Sequence, residues 1–297
     1  MAFRVQSFVK RLQNEICDAF EALDGVATFQ EDRWERDGGG GGLTRVLEGG
    51  PLLEKAGVNT SAVMGVLPER MAAILKVPAT QFFATGVSLV VHPRSPYVPT
   101  VHANFRYFAL GEDLNAPIDQ WFGGGADLTP YYPYLEDAQH FHRTWKEICD
   151  RHELASYAGY KKHCDEYFYL KHRKEARGVG GIFFDYLRSD PEEAFAFLQD
   201  AGAGFLDAYL PIANGRKDMP YGEREKHYHE MRRGRYVEFN LLFDRGTKFG
   251  IETDGRTESI LMSLPPAVQW HYDWSPEPDS PEEEAQWFFQ PRDWLSL

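Results

Sequence analysis

The sequence predicts an α+β fold: one domain over residues 1–297, built on a large, mainly antiparallel sheet. Three observations carry this. Two strand-like runs flank a short proline-rich loop in SLVVHPRSPYVPTVHANFRYF, residues 88–108. Helical apolar spacing then dominates from Leu135 to about Ala213, and alternation returns after Tyr236. No internal repeat and no shift in composition marks a domain boundary.

The elements follow in order. MAFRVQSFVKRLQNEICDAFEALDG has the apolar spacing of an amphipathic helix ending at Asp24–Gly25. Its mixed charges do not fit a signal or transit peptide. Gly38 to Gly42 read as a flexible loop or as a lid whose backbone N–H groups meet an anionic ligand. In the strand Val101–Tyr107, Val101, Ala103, Phe105 and Tyr107 share one face, while His102, Asn104 and Arg106 share the other. In the preceding strand, Leu89 and Val91 oppose Ser88, Val90 and His92. WFGGGADLTPYYP, residues 121–133, predicts a sharp turn at Gly123–Gly125 that projects Asp127 into a cleft.

Ala138, Phe141, Trp145 and Ile148 trace a helical stripe within 135–151, with His142 at its border. Cys164, Phe168 and His172, spaced by four, predict a second helix over 160–174. Ser189-Asp190-Pro191-Glu192-Glu193 is a helix start with cap, proline and first-turn acids. Beyond it, Val237, Phe239, Leu241 and Phe243 alternate with polar neighbours, and Asp244–Thr247 and Asp254–Gly255 are turn signals. This pattern predicts a β-meander over 236–266. A further strand is expected at Val268–Trp274 and a terminal helix over Ser280–Leu297.

The chain is 43% hydrophobic and carries 32 basic against 45 acidic residues, a net charge of −13. That field argues against nucleic-acid and acidic-membrane partners. An anionic substrate would need local arginines. Cys17, Cys149 and Cys164 supply no disulfide framework and no CxxC spacing, which fits a reduced, cytoplasmic compartment. No run approaches the ~20 apolar residues of a membrane span.

The polar face of 88–106 carries two imidazoles, an amide, a hydroxyl and a guanidinium, groups suited to gripping and protonating an anion. A solvated face is the plainer alternative for either strand alone; the same content on two neighbouring strands favours a site. Asp127 reads as a loop residue, a cap or a desolvated general base. Arg256, after the Asp254–Gly255 turn, is a second candidate anion clamp, though alone it reads as a solvated turn residue. His92, His102, His142 and His172 each sit on a face able to border a common cleft, and imidazoles suit a borderline divalent metal. Their spacing matches no H-E-x-x-H motif, so the alternative is four separate polar fixtures. No G-x-S-x-G elbow and no dinucleotide or phosphate-loop fingerprint is present.

VSLVVHPRSPYVPTVHANFRYF, WFGGGADLTPYYP, DEYFYLKHRKEARGVGGIFFD, RRGRYVEFNLLFDRGTKFGIETDGRTESILMSLPP and the closing PRDW, with AGVN at Ala56–Asn59, together resemble oxygen-dependent coproporphyrinogen-III oxidase. The similarity runs through almost the whole chain. It implies a large antiparallel sheet covered on its faces by helices, and a homodimer. It also implies oxidative decarboxylation of two propionates of coproporphyrinogen III to vinyl groups, giving protoporphyrinogen IX. Dioxygen would be the co-substrate, with no organic cofactor. By this resemblance His102 matches a proton donor, Arg106 a propionate ligand and Asp127 the acid that handles the pyrrole nitrogens. Ser88, Asn104, Phe105, Arg106, Gly255 and Arg256 match substrate contacts. His92, His102, His142 and His172 match four histidines assigned as metal ligands in bacterial members. Two departures stand out: Asp254 occupies the first position of a Gly-Gly-Arg loop, and Leu43 replaces a basic residue after the glycine run. An electron-rich reduced macrocycle can itself donate electrons to dioxygen, which favours a metal-free reading. The competing classes are a histidine-metal-dependent oxygenase and a non-catalytic tetrapyrrole carrier.

Overall fold

Helix α1 (Ala2–Asp24) ends as expected, with Gly25 in the left-handed region at φ 80°. Its Val5, Val9, Leu12, Ile16 and Phe20 are buried. The computed structural model describes residues 1–67, 69, 72–73, 77, 80–252 and 255–297. After α1 come β1 (Gln30–Glu35), β2 (Gly40–Glu48), β3 (Leu53–Val66), β4 (Gln81–Pro93), β5 (Thr100–Leu110) and β6 (Asp119–Thr129). Helices α2 (Leu135–Cys149) and α3 (Tyr157–Tyr167) follow. A two-stranded hairpin, β7 (Tyr169–Leu170) with β8 (Glu175–Ala176), leads to β9 (Gly180–Leu187). Helices α4 (Pro191–Arg216), α5 (Glu223–Leu242), α6 (Arg245–Glu252), α7 (Thr257–Leu261) and α8 (Pro281–Gln286) complete the chain, before a 3-10 turn at Trp294–Ser296.

Among the described residues β1 to β6 and β9 form one seven-stranded sheet, every pair antiparallel and in sequence order apart from the final step to β9. The α+β prediction therefore holds. From β2 to β6 each strand pairs with its predecessor, which antiparallel geometry allows without a crossover element.

The sheet's two faces differ as the alternation predicts. Val87, Leu89, Val101, Ala103, Phe105 and Tyr107 join the main core, where α1, α2 and α4 pack. Phe8 meets Phe195 edge-on at 5.9 Å, and Phe20 meets Tyr209 in the same way at the same distance. Asp190 caps α4 by accepting from the backbone N–H groups of Glu192 and Glu193, as the sequence predicts.

Several expectations are corrected. The 236–266 meander does not form: among the described residues this span holds the end of α5, then α6 and α7, and no strand. Tyr236, Phe239 and Asn240 lie at i, i+3 and i+4 on the buried face of α5, whereas Leu241, which a strand would bury with Phe239, is 45% exposed. Asp244 marks a break between helices, not a hairpin, and its carboxylate accepts from the Thr247 N–H at 2.6 Å. No strand forms at 268–274, and the terminal helix spans only Pro281–Gln286. The helix expected over 160–174 stops at Tyr167, so His172 lies in the β7–β8 turn and shares no helix face with Cys164.

Gly38 and Gly39 lie in the turn between β1 and β2, as a loop reading expects, but Gly40–Gly42 belong to β2. A Cβ on Gly42 would stand 2.3 Å from the Trp34 ring, so the absent side chain admits the indole. Gly123–Gly125 are likewise strand residues of β6, not a turn. Asp254 lies outside the described residues.

Candidate active site

The face of the sheet opposite the main core carries the polar alternation. Register sets Asn59, Ser88, Asn104 and Gly125 in one row across β3 to β6. His102 stands opposite Asp127 on the next row, and Arg106 stands opposite Gly86 and Gly123 on the other side. Side chains from α3, β9 and α5 to α7 rise around this face and enclose a cavity of about 500 Å³. Ser88, His102, Asn104 and Arg106 form its floor, while Tyr236, Asn240, Thr247, Ser259 and Ser263 belong to its walls and roof. The volume lies within the range of small-molecule sites.

One end of the floor is a charged triad. His102 Nδ1 lies 2.8 Å from Asp127 Oδ1. Both Asp127 oxygens also accept from Arg177 Nη2, at 2.8 and 2.7 Å. The Asp127 and Arg177 side chains are each only 2% exposed. Burial pushes the Asp127 carboxyl up, but the Arg177 guanidinium and the His102 ring outweigh it and hold the carboxyl below its ordinary value. The pair is therefore ionised, and Asp127 can only accept. It follows that His102 carries a proton on Nδ1 and presents Nε2, which has no protein partner among the described residues. Arg177 is desolvated between aromatic rings, with its guanidinium carbon 4.1 Å from the Phe168 centroid and 4.4 Å from that of Tyr236.

The other end is an anion site held by an internal acid. Arg106 Nη2 pairs with Asp185 Oδ1 at 3.1 Å, and Arg106 Nη1 donates to Asn104 Oδ1 at 2.6 Å. Arg245 approaches the second oxygen of Asp185 at 4.0 Å. Two arginines thus share one carboxylate at the cavity wall. A Cβ on Gly123 would fall 2.9 Å from both Arg106 and Asp185, so glycine is what lets this pair cross the strand.

The other sequence-predicted residues are placed as follows. The Phe105 side chain is fully buried in the core on the far face, which corrects its expected contact: only its backbone belongs to the cavity floor's strand. Gly255 donates its N–H to the Gly250 carbonyl, and Arg256 spends its guanidinium on Asp32 of β1; neither lines the cavity. Asp127 is reached through His102 and does not itself project into the cleft.

The four candidate metal histidines do not converge. His92 is bound to Thr100 Oγ1 and the Ser263 carbonyl, and His142 to Tyr157 and the Val179 carbonyl. His102 binds Asp127, and His172 binds Glu238 at 2.7 Å. Among the described residues no three His, Cys, Asp or Glu side chains gather as a metal site. The donors do not fit a single four-histidine centre, and no step below is routed through one.

Three imidazoles are instead buried as neutral groups. Burial pushes His92 and His229 well below the ordinary value and His142 down to about 3. The unfolded chain takes up these protons from about pH 6.5 downward, while the folded chain does not. Their contribution is therefore complete above about pH 6.5 and is lost as pH falls, by up to about 1.4 kcal/mol per pH unit for each imidazole. The melting temperature is expected to drop between pH 7 and 5, above the carboxylate range. A flat profile there would contradict the assignment.

Arg177, Asp185, Tyr236, Asn240 and Arg245 were not legible as site residues. They come from a hairpin exit, a strand end and helices distant in sequence. The one available signal was Arg177 itself, a charge set among small residues immediately before an apolar strand. The Tyr236 hydroxyl is buried without a hydrogen-bond partner among the described residues and borders the cavity, which leaves it available to a ligand.

A cavity with an anion clamp at one end and an oriented imidazole at the other suits proton handling on a carboxylate-bearing substrate. Comparison with protein-family models agrees with that chemistry. The model described as coproporphyrinogen III oxidase matches residues 4–294 of the 297. The chain belongs to the coproporphyrinogen III oxidase family, and is accordingly an oxidoreductase that oxidatively decarboxylates coproporphyrinogen III in tetrapyrrole biosynthesis.

Proposed function

We propose that dioxygen is the electron acceptor and that the reaction takes place in the 500 Å³ cavity over β3 to β6. Each propionate would react as R–CH2–CH2–COO⁻ + O2 + H⁺ → R–CH=CH2 + CO2 + H2O2. A C–C and a C–H bond break, the macrocycle side chain loses two electrons, and dioxygen gains them. The observation that carries this reading is the placement of the Arg106–Asp185–Arg245 cluster and the His102–Asp127–Arg177 triad along one cavity.

In this account Arg106, helped by Arg245, takes the reacting carboxylate in place of Asp185. A guanidinium fork fixes both oxygens and so orients the β-carbon. His102 Nε2, the free nitrogen, exchanges the proton. Asp127 keeps the ring in that tautomer and does not reach the pyrrole nitrogens itself. The −13 net charge makes such local cations necessary for a tetracarboxylate. The reading is tested by turnover in air and under nitrogen. A divinyl product with one dioxygen consumed per CO2 released is expected in air, and none under nitrogen. Equal anaerobic turnover sinks it.

A homodimer and a cytoplasmic location belong to the same proposal. No strand of the expected meander forms among the described residues, so the dimer now rests on the family and on exposed aromatic side chains such as Trp270 and Tyr272. Light scattering that shows a monomer at working concentration contradicts it. Location is supported by three buried free cysteines; no described helix is long and apolar enough to cross a membrane. Fractionation that finds the protein elsewhere contradicts it.

A further inference from the structure

His92 lies one strand away from His102 and is fully buried. Its hydrogen bonds have a fixed direction. The Ser263 carbonyl can only accept, so His92 Nε2, 2.9 Å away, carries the proton. The ring is neutral, so Nδ1 accepts from the Thr100 hydroxyl at 3.1 Å. With its proton committed, Thr100 Oγ1 accepts from the Tyr131 hydroxyl at 2.6 Å. Burial raises the Tyr131 hydroxyl above its ordinary range, so it keeps that proton.

Ser263 links this chain to the reaction site. It follows α7 and lines the cavity. Its hydroxyl accepts from Asn240 Nδ2 at 3.3 Å and donates to the Ile260 carbonyl at 2.9 Å. Asn240 Oδ1 in turn accepts from Arg177 Nη1 at 3.0 Å, and Arg177 holds Asp127 against His102. A continuous network therefore runs from Tyr131 through Thr100, His92, Ser263 and Asn240 to the triad. The His92 ring also meets the Tyr236 ring edge-on at 5.0 Å, and Tyr236 covers Arg177.

We infer that His92 is a positioning residue, a latch between β4 and the roof segment at Ser263 that sets Arg177–Asp127, and through them His102, in the reactive geometry. It touches no substrate and ligates no ion in this role. The inference rests on the cavity being the decarboxylation site. It adds to that reading a group that controls the oriented imidazole from behind the wall. Breaking the latch leaves a buried carbonyl unpaired and frees the roof, so chemistry suffers more than substrate binding.

The test compares His92→Gln with His92→Leu. Glutamine places an amide N–H near the position of Nε2 and can re-form the bond to Ser263; leucine cannot. His92→Leu is expected to lower kcat on the order of 10-fold or more with KM changed far less. It is also expected to raise backbone hydrogen exchange at 259–264. His92→Gln should restore both readouts to within a few-fold of wild type. Equal loss in the two variants, or unchanged exchange in His92→Leu, overturns the inference. So does loss of wild-type kcat on chelation that added divalent metal restores, together with a His92→Gln variant as inactive as His92→Leu. If the leucine variant fails to fold, Thr100→Val applies the same test from one bond further out: a lowered kcat at near-constant KM is expected, and wild-type kcat overturns the inference. Absence of wild-type turnover would instead contradict the proposed function, and the exchange comparison would still report on the latch.

Discussion

Arg106→Ala is expected to lower kcat/KM by about 10²-fold or more, because it removes the fork that fixes the reacting carboxylate. The variant should fold. Arg106 is partly exposed, and Asp185, its partner, keeps Arg245 nearby. The pair is partly open to solvent, which screens it, and Asp185 retains Arg245, so the melting temperature should move little. Arg106→Lys should recover only part of the loss, since an ammonium cannot bind both oxygens and also hold Asn104. Steady-state kinetics on the folded variants checks this. Near-normal turnover by the alanine variant would remove Arg106 from the mechanism.

Asp127→Asn carries the second large effect, and it has two separable parts. Without the carboxylate the His102 tautomer is no longer fixed, and a loss of about 10²–10⁴-fold in kcat is expected. The fold also suffers, because Arg177 is left as an unpaired buried charge; breaking such a pair costs about 3–5 kcal/mol. Adding Arg177→Met separates the two. It replaces the charge with an apolar side chain in a site already walled by Phe168, Tyr236 and Phe239, and should recover much of the stability. Activity should stay low. Recovery of both would show that Asp127 acts only through stability.

The sheet and the polar floor were legible because alternation in β4 and β5 reports directly which side chains share a face. Ser88, His102, Asn104 and Arg106 fall where that pattern puts them. The helix stop at Gly25 and the Asp190 cap were legible for a similar reason: each is a local device with its own residue type. The C-terminal region was misread because α5 buries charged side chains. Arg233 is fully buried against Glu54 and the Pro93 carbonyl, and Arg232 sits against Glu175. Those arginines hid the 3.6-residue period that Tyr236, Phe239 and Asn240 continue, and what remained looked like alternation. The glycine runs misled for a different reason. Glycine marks turns, but it also marks strands crossed closely by other groups, as at Gly42 under Trp34 and Gly123 beside Arg106. Long-range pairings such as Asp127 with Arg177 have no local signature at all.

The most direct measurement is a structure of the protein with a tetrapyrrole tetracarboxylate bound. One carboxylate is expected within hydrogen-bond distance of the Arg106 guanidinium, with Asp185 displaced from it, and the ligand should lie over Asn104 with His102 Nε2 facing it. The account would be contradicted by a macrocycle seated elsewhere, such as in the second cavity between α1 and β2 to β4, or by one bound here with Arg106 still paired to Asp185 and His102 turned away.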